Sequence, residues 1–151
     1  MGERHKARQA ALTILYQCDI RNEWDADRMS VEYFASHEGL GPEGAKFGAS
    51  LAAGVTENME QIDGRISAAL KNWSLDRLGY LERNILRLGA YEILFQNATP
   101  PKVVMDEAVK LAVDFCDKNS SALVNGALQR IMDEKLGGSG GSRSSDGKLA
   151  G

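Results

Sequence analysis

The sequence has little of what catalysis and disulfide-stapled folds usually require. Its 151 residues include two histidines and two cysteines, with no CxxC and no His/Cys group at a spacing that would hold zinc. Cys18 and Cys116 both fall at core-like positions of helical patterns, which points to buried thiols rather than a disulfide or a redox pair. With His5 and His37 as the whole histidine complement, a serine or cysteine nucleophile has almost no base to draw on. Scattered carboxylates such as Asp25 and Asp27, or Glu57 and Glu60, read as solvated helix faces. No catalytic residue, metal ligand or cofactor is assigned, and the chain is not expected to be an enzyme.

Long apolar runs are missing too. None approaches the roughly 18 residues that span a bilayer, and the charged start "MGERHKAR" does not lead into a cleavable secretory pattern, so no membrane partner and a cytoplasmic location are expected. Strand alternation is equally scarce, and "KVVM" is too short to compete with the helical pattern around it. A formal GxGxxG does occur at Gly39, Gly41 and Gly44, with Asp63 about twenty residues on. A dinucleotide site needs a strand feeding that turn, but "ASHE" precedes it, so the match reads as a loop.

What the chain does have is helical periodicity. Apolar residues make up 43% and charged residues 26%, the balance of a folded globular protein. Ala7, Ala11, Ile14, Leu15 and Cys18 predict a helix over about 4–21. "DADRMSVEYFAS" predicts a short second helix capped by Asp25 or Asp27. From Pro42 the pattern Phe47, Leu51, Val55, Met59, Ile62, Ile66, Leu70 predicts one long helix or two abutting ones, with Gly54 and Gly64 as bends or close-packing points. The segment around Ile85 to Phe95 is apolar nearly all round and belongs at the centre of the fold. Two further helices follow, over about 102–117 and after a Ser120 or Ser121 cap. Residues 1–136 form the folded unit, and the Gly/Ser-rich stretch 137–151 reads as a flexible tail.

Charge is distributed unevenly within a net of −3: residues 18–70 sum to −6, whereas residues 1–17 sum to +2. The basic residues of the start, Arg4, His5, Lys6 and Arg8, share the first turns of the first helix, where cations oppose the helix dipole. Such a cluster is either a solvated, frayed helix end or one suited to the phosphates and exposed bases of single-stranded RNA. In the central helix, Arg87 needs a carboxylate partner, for which Glu92 or Glu107 is the candidate, and Arg83 is expected to be exposed.

Three segments, "KARQAALTILYQCD", "LKNWSLDRLGYLERNILRLGAYEILF" and "PPKVVMDEAVKLAVDFCDKNSSALVNGAL", together resemble the NusB family of bacterial transcription antitermination factors. The similarity spans about residues 4–135. It implies an all-α fold of about seven helices in two small bundles packed across each other. It further implies binding to single-stranded boxA RNA of ribosomal RNA leader transcripts together with the ribosomal protein NusE, on the RNA polymerase elongation complex. By position, the resemblance assigns RNA contacts to Arg4, His5, Lys6 and Arg8, with a second RNA-facing edge at Lys118, Asn119 and Ser120. It assigns the NusE face to Tyr16 and Glu82, with Asp76 nearby. The competing reading is a helical protein adaptor or homodimer with little RNA binding. A ribosomal RNA methyltransferase fragment is disfavoured because no nucleotide-binding sheet is present in the sequence.

Overall fold

A computed structural model describes residues 2–71 and 74–139. It contains seven α-helices: α1 (Glu3–Arg21), α2 (Ala26–Ser36), α3 (Pro42–Glu57), α4 (Met59–Ala69), α5 (Tyr80–Phe95), α6 (Pro101–Phe115) and α7 (Lys118–Ser139). A single 3-10 turn, Leu75–Arg77, leads into α5, and no strand occurs among the described residues. Trp73 of the central motif and residues 140–151 of the expected tail lie outside the described residues.

One bundle is α1 with α2 and α3; the other is α4 with α6 and α7; α5 runs between them and packs on α1, α3, α4, α6 and α7. The apolar circumference of α5 explains that position, because Ile85, Leu86, Leu88, Ala90 and Ile93 are all buried in one continuous core. Fully burying each large aliphatic side chain contributes about 1.5–3 kcal/mol. Small residues bring the neighbouring helices close. A Cβ added at Gly48 of α3 would lie 3.0 Å from the Ala7 carbonyl oxygen of α1, so these two helices touch almost backbone to backbone.

The expected long helix from Pro42 is two helices, and the break falls at Asn58 rather than at either glycine. Asn58 Nδ2 donates to the Gly54 carbonyl at 2.8 Å, and its own N–H is shared between the Gly54 and Val55 carbonyls. A side-chain amide that captures backbone acceptors in this way ends a helix. Gly54 is a close-packing point, since a Cβ there would sit 2.1 Å from Cζ of Tyr91, while nothing crowds Gly64. Asp25 caps α2, accepting the Arg28 N–H. The cap of α7 is Asp117, one turn earlier than the serines expected, with Oδ1 accepting the Ser120 N–H at 2.8 Å.

Two charged clusters bind α1 to α5, and they redistribute the partners expected from sequence. Arg87 pairs with Asp63 of α4 at 2.9 and 3.0 Å and with Asp19 of α1 at 3.1 Å, not with Glu92 or Glu107. Arg83 is not free either: its guanidinium forks onto Asp19 at 2.7 and 2.6 Å. Burial opposes ionisation of Asp19, but hydrogen bonds from Arg83 and Asn84 and the charges of Arg87 and Arg83 outweigh it and hold its pKa below the ordinary value. Asp63, the residue that completed the formal dinucleotide pattern, is thus an ion-pair partner. Cys18 is buried, Cys116 is half-buried, and both are free thiols raised in pKa, by burial first and by neighbouring carboxylates second.

Candidate nucleic-acid interface

The cations at the start of α1 divide according to helix geometry. Residues two apart on an α-helix point to nearly opposite sides, while residues four apart share a face. Arg4 and Arg8 therefore share one side of α1, and both guanidiniums lie over the ring of Phe47 on α3, at 4.2 and 5.4 Å from its centroid. Lys6 points to the other side, where it lines a cleft with Tyr33, Phe34 and His37.

Their chemical situations differ more than their spacing suggests. Arg8 is 4% exposed and its guanidinium forks onto a carboxylate. Nε and Nη2 donate to the two oxygens of Glu92 at 2.8 Å each, Nη2 also reaches Thr99 Oγ1 at 3.3 Å, and Nη1 lies 3.9 Å from Glu107. Burial alone would lower the Arg8 pKa, but the Glu92 hydrogen bonds and the Glu92 and Glu107 charges raise it, so the cation is permanent. It is not presented to solvent, and the expectation that it meets phosphate is corrected to a structural ion pair. A sequence signal for this existed: Arg8 precedes Leu12 by four and Leu15 by seven residues, on the apolar stripe of α1.

His5 is also engaged, through a 2.8 Å hydrogen bond between Nδ1 and Glu107 Oε1. Glu107 is buried, which would raise its pKa, yet the His5 hydrogen bond and the charges of His5, Arg8 and Lys110 lower it overall. Arg4 and Lys6 are exposed and have no carboxylate partner among the described residues. Of the four expected RNA contacts, these two are open to an anionic ligand.

At the second expected edge, Lys118 and Asn119 are exposed, whereas Ser120 is 6% exposed. Ser120 Oγ donates a hydrogen bond to Glu82 Oε2, and Glu82 Oε1 accepts the Gly79 N–H at 3.1 Å, closing the first turn of α5. An expected partner residue and an expected RNA residue are thereby joined directly. They border one cleft, with Arg77, Asn119 and Leu123 along its sides. Lys110, which sequence reasoning passed over, connects the two edges, because it lies 3.4 Å from Glu107 and lines a shallow cleft with Ser121 and Asn125 of α7.

Tyr16 is half-buried and meets Tyr80 edge-on, with ring centroids 6.1 Å apart. Ile20, one turn along α1 from Tyr16, and Tyr80 are 48% and 42% exposed. Together they form an apolar patch, rimmed by Arg83, whose guanidinium lies 4.6 Å from the Tyr80 centroid. Asp76 is exposed on the 3-10 turn before α5. Ile20 and Tyr80 were not singled out in the sequence, because an exposed apolar residue is recognised only once the opposite face is known to be buried.

No group of three or more His, Cys, Asp or Glu among the described residues is arranged to hold a metal ion. No described helix is long and apolar enough to cross a membrane.

The NusB family model matches residues 5–133. The transcription antitermination protein NusB of Myxococcus xanthus is 37% identical over 133 residues, which is 87% of this chain and 95% of the relative. Among solved structures, NusB of T. maritima aligns with a TM-score of 0.79 at 35% identity, over 87% of this chain and 91% of that one. A crystal structure of antitermination factors NusB and NusE in complex with dsRNA aligns with a TM-score of 0.79 at 30% identity, over 87% and 96% of the two chains.

Proposed function

The chain belongs to the NusB family, and from that membership we propose that it is a transcription antitermination factor. It binds boxA RNA of ribosomal RNA leader transcripts together with NusE, and the pair acts on the RNA polymerase elongation complex. The observation that carries the RNA part is the division of the α1 cations: His5 and Arg8 are held by carboxylates, and Arg4 and Lys6 stand without a carboxylate partner among the described residues on opposite sides of an exposed helix tip. Two cations that diverge by nearly half a turn suit a strand passing across the tip, with successive phosphates on either side.

A similar protein forms a complex with NusE and dsRNA. For this chain we read the ligand as unpaired RNA, because the aromatic-backed guanidinium of Arg4 offers a stacking face that a closed duplex leaves unused. The NusE face is the patch of Tyr16, Ile20 and Tyr80, with Asp76 and Glu82 at its edge complementing a basic ribosomal protein. Its role is to hold two macromolecules together, which needs no catalytic group, and a cytoplasmic location follows from that role.

Titration of labelled boxA RNA, single-stranded and annealed to its complement, with and without NusE, tests the proposal. Single-stranded RNA should bind more tightly than duplex, and NusE should raise the affinity by more than tenfold through a second contact on the same strand. Equal binding of both forms with no gain from NusE would refute it.

A further inference from the structure

Resting on the reading of α1 as an RNA-binding tip, we propose that the cleft between α1 and α3 is a binding pocket for one unpaired nucleotide. The base stacks on the Arg4 guanidinium over Phe47, and Lys46 takes the adjoining phosphate. The cleft has a volume of about 410 Å³ and is lined by Glu3, Arg4, Glu43, Lys46, Phe47 and Ser50. Gly44 of α3 also lines it, and a Cβ there would sit 2.4 Å from Glu3 Oε1 and 2.6 Å from Leu40 Cδ2, so the glycine lets these side chains close over α3.

The composition of the walls selects the ligand. Arg4 lies 4.2 Å above the Phe47 ring, which holds the guanidinium plane in place and leaves it without an ion-pair partner among the described residues. Lys46 is exposed and unpaired in the same sense. A pocket for phosphate alone would not carry carboxylates, yet this one has two. Glu3 is occupied, accepting the Gly41 N–H at 3.1 Å, whereas Glu43 is exposed and has no partner among the described residues. A cation pair with one free acceptor matches a nucleotide whose base offers hydrogen-bond donors, as guanine, cytosine and adenine do and uracil does less well. The α3 residues therefore extend the interface beyond the α1 tip and supply both its stacking support and its preference among bases.

The test uses boxA RNA with 2-aminopurine placed at one position at a time. On binding the full-length protein, one position should show strong fluorescence quenching from stacking, and Phe47→Leu should remove that quenching and weaken affinity about tenfold, in line with roughly 1–3 kcal/mol per stacked base. Lys46→Ala, at an exposed position that leaves folding intact, should make the slope of log K against log salt shallower by about 0.7, the value for one phosphate on a single strand. Glu43→Gln should reduce the preference for a donor-bearing base over uracil at the quenched position. If wild-type protein binds this RNA but Lys46→Ala leaves both affinity and slope unchanged, and no position is quenched, the pocket is refuted while RNA binding stands. If wild-type protein binds no RNA at all, the functional reading fails first.

Discussion

Replacing Arg8 by alanine separates a structural cation from a ligand-binding one. The substitution deletes a two-pronged ion pair and leaves the Glu92 carboxylate, whose side chain is 2% exposed, without its counter-charge. Removing one partner of such a buried pair typically costs about 3–5 kcal/mol, mostly from the stranded charge. With a urea dependence of about 1.5 kcal/mol per molar, within the usual range for small proteins, the unfolding midpoint should fall by roughly 2–3 M. Circular dichroism during urea titration measures this directly. The double variant Arg8→Met/Glu92→Leu removes both charges and restores apolar packing, so it should recover most of the midpoint. It should also bind RNA within about a factor of two of wild type at matched salt, because its exposed cations are untouched. The reasoning fails if Arg8→Ala leaves the midpoint in place and abolishes RNA binding, since that would put Arg8 in the ligand contact and not in the core.

Three further outcomes follow from the same geometry. With Arg4, Lys6, Lys46 and Lys118 as the cations neutralising the strand, the slope of log K against log salt should be roughly −2.8, and Arg4→Ala/Lys6→Ala should reduce it to roughly −1.4; an unchanged slope in fluorescence anisotropy would remove both residues from the interface. Asp19 and Glu107 have pKa values below those of ordinary carboxylates, so their stabilisation is complete above about pH 4–5 and disappears as pH falls through the depressed values. Thermal scans should therefore show Tm declining on acidification below that range and more weakly in Asp19→Asn, and a Tm independent of pH there would contradict the assignment. Gly54→Ala drives a methyl into the Tyr91 ring and should cost about 1–3 kcal/mol. In a double-mutant cycle with Tyr91→Leu that penalty should shrink by about 1 kcal/mol, and strict additivity would show that the contact is not responsible.

Helix positions were largely readable because each rests on local periodicity and on end signals such as the Asp25 cap of α2 and Pro42 at the first position of α3. The boundary at Asn58 was not, since Gly54 and Gly64 are the conspicuous break candidates in the sequence, and only the packing of Tyr91 shows that Gly54 serves an approach between helices rather than a bend. The ion pairs were the least legible part. Arg87 meets Asp63, 24 positions away, and Arg8 meets Glu92, 84 positions away, and nothing in local spacing chooses these over nearer carboxylates. Within the basic start, the spacing of Arg8 to Leu12 and Leu15 marked it for the apolar stripe, but the carboxylates that hold Arg8 and His5 were not visible. Whether a cation faces the core depends on which side of α1 the second bundle covers, a fact the chain acquires only on folding.

The hydrogen bond between Ser120 and Glu82 joins the beginnings of α7 and α5, so the proposed protein-facing and RNA-facing margins share one carboxylate. A substitution at Glu82 chosen to tune the fit to one ligand will also loosen the turn that presents Lys118 and Asn119 to the other. On the proposed reading the two surfaces are mechanically coupled, and variants selected for altered affinity at either one should carry compensating changes across this junction.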